Sequence, residues 1–473
     1  MQGFPDLVWL IIIDQLRLPF HWHEQFDYGP YRPQSELDGL AALARLCRTS
    51  SRLRAIAERA LYSGLPLTES RLRARIFATI RQNPRILHHV QAAELGDAYM
   101  TRDEFAALTL PPNTHENQQA WPETGMHRSV ADQIRAMRDL PDLSEEFADA
   151  WPAYTIVLMP NLKKLDITMT NTMAILPSVF REAAQYGKYI SGSQVDPSAL
   201  QLRPLSQLEE IVVRRVSETK GAVRMQLFED VLLLPRLKKI YGQCVDLNTN
   251  LAARTARQSS SLIHVVLMQS LVEAAGLLDL LRTCPLLQTL KIHWGESTVG
   301  DVTLEWDGIG HALREYGSNL EVLDLDCREC LTYDMGEWSG RIGTLRALRR
   351  LKHLSLPQDV LVGNEDALSG LDNLGDSDED EGQSHDGASE SDVSLEPLLP
   401  DSLERLRLYS CYEEEEWASK SVQGLLSSQR LVSLRDIKID GAVEVELSLS
   451  CNETGWEHQI NKAHVAFHRA RVG

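Results

Sequence analysis

The chain has no basic tail and no block of Lys or Arg, so the electrostatic footprint of a general polyanion binder is missing. No Gly-rich phosphate loop, zinc-ligand spacing or nucleophile elbow occurs, and no catalytic residue, metal or cofactor is expected. His21-Trp22-His23-Glu24 has two histidines in an aromatic loop but no third ligand in sight, so incidental histidines are the better reading. The apolar run Leu7 to Ile13 falls far short of the roughly 20 residues a membrane span needs. It also lacks a basic leader and a small-residue cleavage site, because Asp14, Gln15 and Arg17 follow directly. The cysteines number seven, an odd and scattered set that suits free thiols in a reducing compartment. Cys327-Arg328-Glu329-Cys330 has no second pair, and reads as two thiols near a strand end. These absences point to an intracellular protein of cytoplasm or nucleus, with neither membrane nor nucleic acid as partner.

What is present is a folded composition of 43% apolar and 24% charged residues over 473 positions, too long for one compact core. The net charge of −19 is unevenly spread: residues 365 to 396 hold twelve Asp or Glu and no Lys or Arg. The pattern Leu-x-x-Leu-x-Leu, with Ile or Val allowed, returns eight times. Its copies are Leu162/Leu165/Ile167, Leu208/Ile211/Val213, Leu262/Val265/Leu267, Leu287/Leu290/Ile292, Leu320/Leu323/Leu325, Leu351/Leu354/Leu356, Leu403/Leu406/Leu408 and Leu434/Ile437/Ile439. Leu237/Ile240 is a weaker copy, and Val90/Leu95 an early degenerate one. From Leu208 onward neighbouring copies lie 25 to 33 residues apart, save for the gap holding the acidic segment. That is the spacing of leucine-rich repeats.

The physical reading of a copy is a short strand. Leu323 and Leu325 flank polar Asp324 and point inward, while Leu320 plugs the core from the preceding turn. One copy cannot bury these residues alone, so copies should stack into a parallel sheet. Stretches 273–285, 308–318 and 421–429 carry helical spacing between copies, which predicts strands on a concave face and helices on a convex one. The buried Asn or Cys that usually follows the third apolar residue by three positions is absent from most copies: Ser270, Gly295 and Arg328 stand there, and only Cys411 fits. The array should therefore be irregular.

Two inserts break the plan. Residues 375–396 are acidic and Gly/Ser-rich, expected to form a disordered loop, and Ser377 and Ser389 each precede an acidic residue by three positions, as acidophilic kinases prefer. Equally, the segment reads as a solvated spacer that is never phosphorylated. Residues 19–36 form a Pro- and aromatic-rich loop.

At the front, Pro5 and Asp6 make a good helix start. On a helical period Leu7, Leu10 and Ile11 share one face, and Trp9, Ile12, Ile13 and Leu16 another, although the β-branched triple also allows a buried strand. Two apolar faces on a short helix imply two partners, its own core and another protein. Leu40, Leu43, Leu46, Leu53, Ile56 and Ala60 then keep helical spacing across 37–65. Here the sequence resembles the F-box motif, carried by Phe4-Pro5, Leu10, Ile12, Ile13, Leu16, Leu40, Leu43 and Cys47-Arg48. It departs from that motif in Phe4 for Leu, Leu7 where Glu is frequent, Ser51 near a usual Trp, and an insertion of some sixteen residues between Leu16 and Leu40. Joined to the repeats, it is similar to F-box/leucine-rich-repeat proteins in an irregular, fungal-like form.

The expected architecture is α/β: a helical F-box-like domain at 1–66 with an insert at 17–39, then a helical linker and degenerate first repeat at 67–158. A leucine-rich-repeat domain follows at 159–473, with the disordered insert at about 364–397. The resemblance implies a non-catalytic substrate receptor of an SCF-type cullin–RING ubiquitin ligase. Phe4, Pro5, Leu7, Leu10, Ile11, Leu16 and Leu43 would touch the adaptor subunit, and through it the cullin. An unknown protein substrate would bind on the strand face, whose candidate contacts include Lys164, Glu210, Arg214, Tyr241, Lys291, Asp324, Arg405 and Arg407. Asp166, Lys239, His293, Asp326 and Lys438 share that face. Its mixed signs favour a protein over nucleic acid. A repeat scaffold without an adaptor, or a repeat-type GTPase-activating module, would fit the same repeats.

Overall fold

The computed structural model describes residues 6–17, 34–67, 75–96 (without 77 and 81), 130, 132, 149–192, 204–215, 221–248, 251, 259–295, 302–328, 336–362, 394–409, 424–440, 456–461 and 464–469. The fold is mixed α/β with a large, mostly parallel sheet. It divides into two compact units, one of residues 1–245 with 252–262 and one of residues 246–251 with 263–473. Phe4, Pro5, Ser377 and Ser389, most of the 17–39 insert and of the 67–158 linker, and nearly all of the acidic insert lie outside the described residues.

The first unit opens with three helices, α1 (Asp6–Gln15), α2 (Gln34–Thr49) and α3 (Ser51–Leu61). The Ser50 side chain caps α3 by accepting from the Leu53 amide at 3.1 Å, satisfying one of the donors a helix start leaves open. Strands β1 (Gly64–Pro66), β2 (Ala92–Leu95), β3 (Lys164–Met169), β4 (Glu210–Arg215), β5 (Val223–Arg224) and β6 (Lys239–Gln243) follow. Of these β1, β2, β3, β4 and β6 pair side by side in parallel. The sheet thus starts at Gly64, inside the stretch assigned to the helical domain, and α2 starts at Gln34, inside the expected insert. Helix α4 (Ala150–Val157) packs on α5 (Ile175–Gly192). Asp149 is fully buried, and its Oδ2 accepts from the amides of Ile175 and Leu176 at 2.6 and 2.7 Å.

In the second unit β7 (Val245–Leu247) pairs through Asp246 and Leu247 with β9 (Leu271–Val272). Strands β8 (His264–Met268), β10 (Thr289–His293), β12 (Val322–Asp326), β14 (His353–Pro357), β15 (Arg405–Tyr409) and β16 (Asp436–Asp440) run parallel in that order. A hairpin of β17 (Trp456–Asn461) and β18 (His464–Arg469) closes it antiparallel on β16. The short strands β11 (Val302–Glu305) and β13 (Gly336–Ser339) pair separately. Helix α6 (Ala274–Thr283) packs on α7 (Trp306–Tyr316), and α8 (Gln358–Val362) follows β14. Gly310 on α7 lies so close to the Ile342 carbonyl that no side chain fits there.

Each unit applies one rule. All three apolar residues of every copy are buried, and the residues between them are exposed or half-buried apart from Glu210, Val212 and Val266, which are buried. In most copies the first apolar residue closes a turn by donating its amide three positions back, as Leu287 does to Cys284, Leu320 to Gly317 and Leu434 to Leu431, whereas the Leu262 amide donates to the Ser260 hydroxyl. Two successive amides at most strand starts then share one carbonyl of the preceding copy, such as Glu321 and Val322 on Gln288. The residue just before the first Leu adds a side-chain link between turns. Asn319 donates to the Pro285 carbonyl at 2.8 Å and accepts from Arg350 at 2.9 Å. Ser402 reaches Leu351, and in the first unit Asn161 reaches His88 and Ser261 reaches Leu237. These links tie turn to turn where the buried Asn is lacking. At the former position Ser270 is buried and bonds the Met268 carbonyl at 2.8 Å.

Candidate binding surfaces

Helix α1 presents two faces. Ile13 is buried with Leu43, Ala57 and Ala60, and Trp9, Leu16, Leu46, Cys47, Ile56 and Leu61 pack against them. Gly39 lets α2 close on the end of α1, since a Cβ there would stand 2.9 Å from the Leu16 carbonyl oxygen. On the other side Leu7, Ile11 and Leu10 are 68%, 58% and 51% exposed. Of the expected contact residues, then, Leu7, Leu10 and Ile11 share an open face, and Leu16 packs inward. Leu43 is corrected: it is fully buried in the three-helix core and offers no surface to a partner. Ile12, grouped by helical period with Trp9, Ile13 and Leu16, is exposed while Ile13 is buried. The helix also settles the choice against a buried strand at this position.

The outward strand positions form a second surface. In the first unit Lys164 and Lys239 lie 3.5 and 4.0 Å from the Glu210 carboxylate, which sits beneath them almost fully buried. Glu210 is therefore a buried partner of these lysines, a correction to its reading as an exposed contact. Arg214 grips Asp166 with Nε and Nη2, at 2.9 to 3.0 Å, a two-nitrogen clamp suited to a carboxylate. Tyr241 is half-buried in the neighbouring column.

In the second unit the register aligns Lys291, Asp324, Ser355, Arg407 and Lys438 in one column, and Arg405 with His353 and Asp436 in the next. His293 stands 3.4 Å from Asp324. Burial raises the Asp324 carboxyl, but His293, Ser355 and Lys291 together outweigh it and hold it below its usual value. His353 is pushed down by its own burial and by Arg405 beside it, which favours the neutral ring. Arg328, just past β12, spans Asp326 and Asp440 and lies over the Tyr409 ring at 4.5 Å. Tyr409 is buried despite its outward position, because Arg328 covers it and its hydroxyl donates to the Leu325 carbonyl. Sequence reasoning passed over Arg328, Tyr409 and Asp440. The available signal was an Arg two residues after an Asp at the end of one strand, with an outward Tyr in the same column two strands on.

Among the described residues no group of three or more His, Cys, Asp or Glu is placed to hold a metal, and no helix is long and apolar enough to cross a membrane. Comparison with known protein families and with curated protein sequences returns no match.

Proposed function

We propose that the chain is a non-catalytic substrate-recognition subunit of an SCF-type cullin–RING ubiquitin ligase. In this reading α1 to α3 are the F-box that docks the adaptor, and the stacked strands are an irregular leucine-rich-repeat solenoid that presents a protein substrate. The observation that carries it is the uncovered face of α1. Leu7, Leu10 and Ile11 stand in water on a helix whose other face is packed, and burying each would contribute about 1.5 to 3 kcal/mol to an interface. The insert expected at 17–39 runs from the end of α1 into the start of α2, and Leu7, Leu10 and Ile11 precede it in sequence.

Co-purification with the adaptor and cullin tests it. Wild type should capture both, and Leu10→Asp should lose them while its melting profile stays that of the wild type. If wild type captures no adaptor, the reading fails, and an adaptor-free repeat scaffold takes its place.

A further inference from the structure

On the outward face of β12 to β16 the carboxylates lie low and the cations stand above them. Asp326 and Asp440 are 18% and 12% exposed, against 40% to 42% for Arg328, Lys438 and Arg407. Asp440 alone is shared by three cations: Lys438 at 3.2 Å, Arg328 at 4.0 Å and Arg407. Asp326 and Asp440 thus face three cations, Asp324 in the column of Arg407 and Lys438 is taken up by His293 at 3.4 Å, and Arg405 adds a fourth cation that is exposed and, among the described residues, has no ion-pair partner. Asp436, the register partner of Arg405 on β16, is the exposed exception, and it is taken up by His468 at 2.6 Å. A partner approaching this face meets guanidinium and ammonium tips first, on a chain whose net charge is −19.

We propose that this patch, centred on Arg405, Arg407 and Lys438, binds an acidic peptide segment of a partner protein. The inference rests on the receptor reading above and names the chemistry of its substrate. Arg405 and Arg407 are two residues apart on one strand, so both point outward and can each take a carboxylate of an extended chain lying across the strands. The long side chains reach solvent while Asp326 and Asp440 hold Arg328, Arg407 and Lys438 in place from beneath. Those same half-buried carboxylates oppose a continuous phosphate backbone, so a peptide with spaced charges fits better than a nucleic acid.

The test uses the full-length protein and a labelled peptide of alternating Glu and Ser, read by fluorescence anisotropy at low and at half-molar salt. The Glu/Ser peptide should bind at least about tenfold more tightly than its Gln/Ser counterpart, and lose that advantage in high salt. Arg405→Gln, which breaks no ion pair, should weaken binding several-fold, and R405Q/R407Q by about tenfold or more. Arg405→Lys should keep most of it, and Arg349→Gln, in the turn before β14, should change nothing. Equal binding of the two peptides, no binding, indifference to R405Q/R407Q in a protein that melts like wild type, or equal competition by oligothymidylate would each overturn the proposal. Adaptor capture is scored on the same preparations. Peptide preference without adaptor leaves this surface standing and removes the ligase; adaptor without peptide preference removes only this inference.

Discussion

Helix α1 and strand β12 are similarly apolar in sequence, yet the protein treats them differently. Around β12, Leu320, Leu323 and Leu325 are each fully buried, and the same holds copy after copy. On α1, Ile13 is buried while Leu7, Leu10 and Ile11, two to six positions away, are more than half exposed. A strand copy buries its whole apolar set because its neighbours supply matching rows on either side. A ten-residue helix packed on two others can bury only one stripe. Apolar residues that recur with a partner in every neighbouring copy are structural, and those left over after packing are where a function can reside.

The comparison breaks most visibly at a strand core. Leu323→Ala should destabilise the protein by about 3 to 5 kcal/mol, because rows on both sides hold the cavity open. Urea unfolding followed by circular dichroism would register the shift, and a loss under about 1 kcal/mol would mean the rows collapse freely.

Asp149 offers the opposite sign. Burial raises its carboxyl from 3.8 to about 6, and the two amides of α5 only partly oppose this. Since the folded value is the higher one, its contribution is greatest below pH 3.8 and is lost as pH rises through about 6. Asp149→Asn keeps an acceptor for those amides without a buried charge. It should therefore stabilise by up to about 3 kcal/mol at pH 7.5 and by little near pH 3.8. Melts at the two pH values check it, and an equal shift at both would refute the assignment.

Much of the strand plan was legible beforehand, because Leu-x-x-Leu-x-Leu states both the period of two and the plug from the turn. The inward residues of all eight copies are where that pattern puts them. The two-faced α1 was legible for the same reason, from a period of 3.6. Three things were not. β1 has three residues, all buried, and carries no alternation to read. Leu43 was placed among the contacts by the F-box resemblance, and such a resemblance does not separate core from contact. Glu210 alternates outward like its neighbours, and only the approach of Lys164 and Lys239 from strands far apart in sequence buries it. The links between turns were missed because their residues differ in type, Asn, Ser and Arg, and share only a position.

Those links set a smaller test. Asn319 both donates to Pro285 and accepts from Arg350 near the surface, so Asn319→Ala should cost about 1 kcal/mol. Asn319→Ser keeps a donor of the kind Ser402 uses and should recover part of it. Equal losses for Ala and Ser would show that the reach of the Asn amide matters more than the presence of a donor.

The smallest expected effect is the most informative about α1. Gln is nearly as good a helix former as Leu, so L7Q/L10Q leaves the helix propensity almost unchanged. If the open face touches nothing in this chain, unfolding free energy should shift by no more than about 0.5 kcal/mol, as for other surface changes. Ile13→Ala, on the packed side of the same helix, should cost about 2 to 5 kcal/mol. Calorimetric melts of the two variants side by side measure the contrast. A loss of more than about 1 kcal/mol for L7Q/L10Q would mean that some part of this chain covers the face. The exposed leucines would then be core residues after all, and the adaptor reading would lose the observation that carries it. A negligible loss combined with failure to capture the adaptor would assign the face to binding alone, because a residue that contributes nothing to folding can impair capture only through contact.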